Sequence, residues 1–124
     1  MKLQKLVYYS QAWSLVWDGR PLFREKIKAW ANGPVVPALY AAHKGRFSVE
    51  ARHIDGNPDA LEDVQKATIM GVLKFYGDKT AQWLSDLTHA ERPWRDARHG
   101  IPDGERGNSE ITTAALDEYY GSLK

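Results

Sequence analysis

The chain contains no cysteine. Disulfides, thiolate catalysis and cysteine-ligated zinc are excluded at once. No apolar run approaches the roughly 20 residues that a membrane-spanning helix needs. The first residues mix Tyr, Gln and Trp and lack the unbroken apolar block of a secretion signal, so the chain reads as cytoplasmic. Charge of one sign is scarce too. The formal net charge is +1, too small a field to draw in nucleic acid or anionic lipid. Residues 1–50 do hold eight Lys and Arg against three Asp and Glu, and residues 51–124 nine against thirteen. That asymmetry could orient a partner but is no polybasic arm. There is no internal repeat, no Gly-rich phosphate cradle and no Gly-x-Ser-x-Gly nucleophile elbow.

What is present suits a soluble globular chain. With 124 residues, 43% of them apolar and 27% charged, residues 1–124 read as a single domain able to bury one core. Five Trp and six Tyr imply a core or an interface rich in rings. The pattern predicts a helix over 2–17, with Leu3, Leu6, Val7, Ser10, Trp13, Ser14 and Trp17 on one stripe and Tyr9, Ala12, Leu15 and Val16 as a second apolar flank. A helix apolar on so much of its surface belongs at the centre. Gly19 stops it. Residues 26–30 alternate as a short strand. Asn32-Gly33-Pro34 breaks that strand, and Pro34 and Pro37 open a helix ending at Gly45. A short edge strand is expected around Phe47 and Val49, and a turn at Gly56-Asn57-Pro58.

Asp59 and Glu62 look like a capping box for a helix over 60–76, with Leu61, Val64, Thr68, Val72 and Phe75 on its inner face. Asp78 should cap a helix over 79–88. Thr88 to Trp94 reads as an irregular corner, Pro93 as the opening of a single turn, residues 99–110 as a mobile loop, and Thr112 as the cap of a last helix over 113–120. The expected fold is mainly α, a compact single-domain helical fold with one small β-hairpin or short strand element.

Few residues point to chemistry. His89, Glu91 and His99 invite a metal reading, and His89-x-Glu91 echoes a zinc deaminase signature. That signature needs a Pro-Cys-x-x-Cys further on, and the three residues lack ligand spacing on one helix. No catalytic residue, metal or cofactor is therefore assigned. The simpler account has Thr88 and Glu91 bonding backbone groups at the turn while Trp94 plugs it. Arg92, Arg95 and Arg98 recur every three residues and would align as a comb for an acidic partner or a phosphate backbone. A solvated face balanced by Glu91 and Asp96 is the simpler account. Gln11 sits in a very apolar helix, where it either bonds the Asn32-Gly33 break or lines a groove mouth.

The order of these pieces carries more than any one of them. Lys2-Leu3-Gln4-Lys5-Leu6 leads to Trp13, then Gly19-Arg20-Pro21-Leu22-Phe23, then Ala29-Trp30-x-x-Gly33-Pro34-Val35-Val36-Pro37. Thr88-His89-x-Glu91-x-Pro93-Trp94 and Ile111-Thr112 follow. That string resembles the Panacea antitoxin domain, also described as SocA-like or phage GepA-type. The resemblance implies a non-enzymatic antitoxin of a two-gene toxin–antitoxin module, its partner a cognate protein toxin encoded nearby. Members of that family usually carry a further helix ahead of the Lys2 segment, so either the start is shifted here or that helix is lost. That loss would uncover apolar surface on residues 3–17 and favour a homodimer. The expected contact surface joins Trp30 and Asn32 to Thr88, His89, Glu91, Arg92, Trp94, Arg95 and Arg98, because large rings with Arg dominate hot spots. The alternatives are a nucleic-acid-binding regulator and a hydrolase built on the His89/Glu91 corner.

Overall fold

The computed structural model describes residues 2–43, 62–102 and 104–123. The expectations for Gly45, Phe47, Val49, Gly56-Asn57-Pro58, Asp59 and Leu61 lie outside these residues. Among the described residues the fold is mainly α, with six helices and a small antiparallel sheet. The elements are α1 (Lys2–Asp18), β1 (Ile27–Trp30), β2 (Gly33–Val35), α2 (Pro37–His43), α3 (Asp63–Tyr76), α4 (Ala81–Ala90), α5 (Arg92–Ala97), β3 (Glu110–Ile111) and α6 (Thr113–Ser122). The strands lie in the order β2-β1-β3. Lys28 faces Val35 on one side and Glu110 on the other. No described helix is long and apolar enough to cross a membrane.

Helix α1 is central, packing on α3, α4, α6 and β2. Its buried face is not the expected apolar stripe. Tyr8, Tyr9 and Ala12 are buried together with Gln4, Lys5, Ser10, Gln11 and Ser14, whereas Trp17 is 50% exposed. Leu6, Val7 and Trp13 pack at the core's margin. The polar residues go inward because each finds a partner. Gln4 receives the Val36 N–H at 2.9 Å and donates to the Val36 carbonyl. Seven residues on, Gln11 receives the Leu22 N–H at 2.7 Å and donates to the Phe23 carbonyl at 3.1 Å. Two side-chain amides thus stand in for a neighbouring strand. Gln11 clasps the turn after α1, not the Asn32-Gly33 break. Ser14 donates to the Arg20 carbonyl at 2.8 Å.

Several boundaries move for local reasons. Glu62 caps α3, and Gln65 receives the Glu62 N–H at 2.9 Å. The inner face of α3 is Thr68, Val72 and Tyr76, while Val64 and Phe75 are exposed. Thr80, not Asp78, caps α4 by accepting the Trp83 N–H. Helix α4 then continues through the expected corner as far as Ala90. Thr112 caps α6 as expected, receiving the Ala115 N–H. Strand β2 contains Pro34, which removes a donor and reads as a helix opener. An edge strand tolerates it. Gly33 closes the hairpin at φ 131°, a conformation other residues rarely adopt.

Only Glu91 interrupts the run from α4 to α5. Its backbone is extended, at φ −93° and ψ 146°, because Pro93 cannot continue the preceding helix but fits the first turn of a new one. The kink turns the Glu91 carboxyl inward. Its Oε1 accepts the Tyr9 hydroxyl at 2.6 Å and the Tyr120 hydroxyl at 2.8 Å. Tyr120 gives its one proton to Glu91, so Tyr8 donates to the Tyr120 oxygen at 3.0 Å. Tyr9 stacks on Tyr76 at 4.2 Å, and the Tyr76 hydroxyl accepts the Trp13 indole N–H. The expected bond from Glu91 to a turn backbone gives way to phenols from α1 and α6, since the extended residue faces the core.

Burial pushes the Glu91 carboxyl above its ordinary value of 4.5, against the downward pull of the two phenols. The native state therefore keeps a proton that the unfolded chain releases. This group's contribution is fully present below about 4.5 and is lost as pH rises through the folded value. Glu91→Gln keeps an acceptor for both hydroxyls and carries no charge. Denaturant midpoints measured from pH 4.5 to 8 should show a flatter pH dependence for Glu91→Gln than for the parent, with no loss of stability at pH 7. Glu91→Ala orphans buried hydroxyls and should cost about 1–3 kcal/mol.

Candidate functional site

The corner at Glu91 and the β1–β2 hairpin are joined by a chain of contacts. His89 lies flat on Trp94, ring centres 4.1 Å apart and 11° from parallel. Trp94 donates its indole N–H to the Trp30 carbonyl at 2.9 Å. Arg98 also lies over Trp94, its guanidinium 5.2 Å from the ring centre. It donates to the carbonyls of Ala29 at 3.1 Å and Pro102 at 3.2 Å, and also to that of Glu105. The segment expected to be a mobile loop is thus tied to one guanidinium nitrogen through its Pro102 and Glu105 carbonyls, while the other terminal nitrogen holds β1. Its Ser109 carbonyl accepts the Ala29 N–H at 2.8 Å, and β3 follows directly.

Lys5 reaches the hairpin from the opposite side. It is 3% exposed, and its amine donates to the Asn32 carbonyl at 3.1 Å. Burial lowers its hold on the ammonium proton. Gly33 makes the space: a β-carbon there would stand 3.0 Å from the Lys5 Nζ. The Thr88 hydroxyl donates back to the Ser85 carbonyl at 2.8 Å. Lys5, Glu91 and Arg98 are all buried. Each bonds hydroxyls or carbonyls, with no ion pair to any of them among the described residues, and the buried Arg98 Nε finds no partner there.

The expected contact residues therefore divide. Thr88, Glu91, Trp94 and Arg98 are buried and hold the backbone of the corner and hairpin. Asn32, Arg92 and Arg95 are exposed, and Trp30 and His89 are half-buried. The arginine comb is broken, because α5 ends at Ala97 and Arg98, at its C-cap, is buried, while Arg92 pairs with Asp96 at 3.5 Å. Glu91 faces the tyrosines and balances none of these cations. Its carboxyl and the His89 ring have different neighbours, and no group of three His, Asp or Glu among the described residues is placed to hold a metal ion.

An open groove of about 690 Å³ lies on the outer face of the hairpin. Trp30, Val35 and Tyr40 form its floor, and Asn32, Arg106 and Asn108 lie along it. Trp30 meets Tyr40 edge-on at 5.2 Å and donates its indole N–H to the Asn108 Oδ1 at 3.1 Å. Sequence reasoning reached Trp30 and Asn32 but missed Arg106 and Asn108. They sit in a polar loop with no periodicity, and the Arg98 clasp together with the β1–β3 pairing brings them over the sheet. The site offers aromatic surface and hydrogen-bond donors, which are means of binding.

A family model described as "Antitoxin SocA-like, Panacea domain" matches residues 3–95. Antitoxin SocA of Caulobacter vibrioides (strain NA1000 / CB15N) is 31% identical over 107 residues, covering 76% of this chain. The chain spans 56% of the length of that relative. No solved structure matches significantly. The matched span includes α1, the hairpin and the corner as far as Arg95.

The hairpin's dependence on the corner can be measured. Trp94→Ala removes a buried ring from between His89, Arg98 and Trp30 and should cost about 3–5 kcal/mol in chemical denaturation. Trp94→Phe keeps the ring and loses one hydrogen bond, so its cost should be about 1 kcal/mol from that bond.

Proposed function

The chain belongs to the antitoxin SocA-like, Panacea domain family, and on that premise we propose that it is the antitoxin of a two-gene module. In this reading it is a cytoplasmic, non-enzymatic inhibitor that holds a cognate protein toxin by direct contact. The observation that carries it is the division of the corner and hairpin. A buried set, Thr88, Glu91, Trp94 and Arg98, fixes the backbone. An outer set, Trp30, Asn32, His89, Arg92 and Arg95, is left accessible on the same rigid support. Binding surfaces gain affinity when the contact groups are ordered before the partner arrives. Trp and Arg are the residue types that most often dominate such contacts.

The relative's name supports the same reading, since Antitoxin SocA is itself called an antitoxin. The gene beside this one supplies the test. A neighbouring open reading frame should arrest growth when expressed alone and be harmless when expressed with this chain, and the two proteins should co-purify.

Within that pair, Arg95→Glu reverses an exposed charge that has no ion-pair partner among the described residues. Its melting temperature should match the parent. Its affinity for the toxin, measured by calorimetry, should fall at least about tenfold if Arg95 lies at the contact. Full affinity and full rescue of growth by Arg95→Glu would place the contact elsewhere.

A further inference from the structure

The groove over the hairpin is chemically one-sided. Its floor is two rings and a valine, Trp30, Tyr40 and Val35. Every polar side chain along it can donate, and no acidic side chain lines it among the described residues. Arg106 is exposed, and its guanidinium has no hydrogen-bond or ion-pair partner there. Asn108 gives its Oδ1 to the Trp30 indole, so its amide N–H groups are what it has left to offer. Behind the rim, the Lys5 amine rests on the Asn32 carbonyl with no carboxylate beside it among the described residues. A negative group arriving at the rim would offset the cost of that buried amine's charge.

We propose that this groove takes an extended acidic segment of the partner protein. An aromatic or aliphatic side chain lies on the Trp30–Tyr40 floor, and an adjoining Asp or Glu carboxylate is held by Arg106 and the Asn108 amide. The assignment rests on the direct-binding reading and names the chemistry of its contact. Arg recognises a carboxylate through two parallel N–H donors, a geometry that adds specificity as well as strength. The floor supplies the apolar area that a charge pair at a wet rim cannot. Single-stranded nucleic acid also uses rings and cations, but it needs a basic track along its backbone. Among the described residues, one guanidinium lines this groove.

The test uses the full chain labelled with ¹⁵N and three probes. They are the capped peptide Asp-Phe-Glu-Leu-Asp, its uncharged analogue Asn-Phe-Gln-Leu-Asn, and octathymidylate. The acidic peptide should shift the Trp30 indole and Asn108 side-chain resonances saturably. The uncharged analogue should bind at least about tenfold more weakly. Arg106→Gln, an exposed change that spares the fold, should abolish that difference. Equal binding of the two peptides, shifts confined to other residues, or no shifts at all would overturn the assignment. So would octathymidylate moving the same resonances at lower concentration. A chain that binds the acidic peptide but fails to neutralise its toxin refutes the antitoxin reading and leaves the groove's chemistry standing. A chain that neutralises the toxin and ignores the peptide does the reverse.

Discussion

One buried carboxyl organises this molecule. Glu91 is the single extended residue that separates α4 from α5, and its Oε1 gathers hydroxyls from α1 and α6. Remove the kink and α4 would run on, carrying the carboxyl around to solvent. Remove the carboxyl and three phenols would share one polar pocket without a terminal acceptor. The arrangement binds the first helix to the last through a residue near neither end of the chain. Tyr9 stacked on Tyr76, and Trp13 tilted against Tyr120, fill the space around it. Such a knot fixes geometry more than it adds stability, because desolvating the carboxyl costs much of what its hydrogen bonds return.

The same logic recurs on a smaller scale. Gln4 and Gln11 clasp backbone that would otherwise be unpaired, and Arg98 collects three carbonyls. Lys5 props the hairpin turn. The interior is thus held by polar side chains meeting main chain as well as by apolar contact. This is a way to build a rigid small domain with a short sheet and helices of modest length.

The helical class, the length of α1, the strand at Ile27–Trp30 and the Thr112 cap were legible because each rests on local rules of periodicity, propensity or capping. What was not legible depends on partners far along the chain. Hydropathy ranks Gln4 and Gln11 as outward-facing and Trp17 as inward-facing; the backbone groups waiting at Val36 and Leu22 reverse the order for the two glutamines. Pro34 masked β2, since a proline opening a helix and one in an edge strand look alike in sequence. Spacing by three aligned Arg92, Arg95 and Arg98, but that holds only for uninterrupted helix, and the turn ends at Ala97. The groove was half visible. Trp30 and Asn32 stood out by composition, whereas Arg106 and Asn108 reach it through the Arg98 clasp and the pairing of β3 with β1.

The Lys5 amine lies 3.0 Å from where a Gly33 side chain would begin. Those two positions are therefore not independent through descent. A lineage that replaces the glycine meets two obstacles, the lysine's tip and a backbone φ of 131° that side chains rarely adopt. Across relatives the lysine is free to change while the glycine stays, whereas a replaced glycine should come with a rebuilt turn.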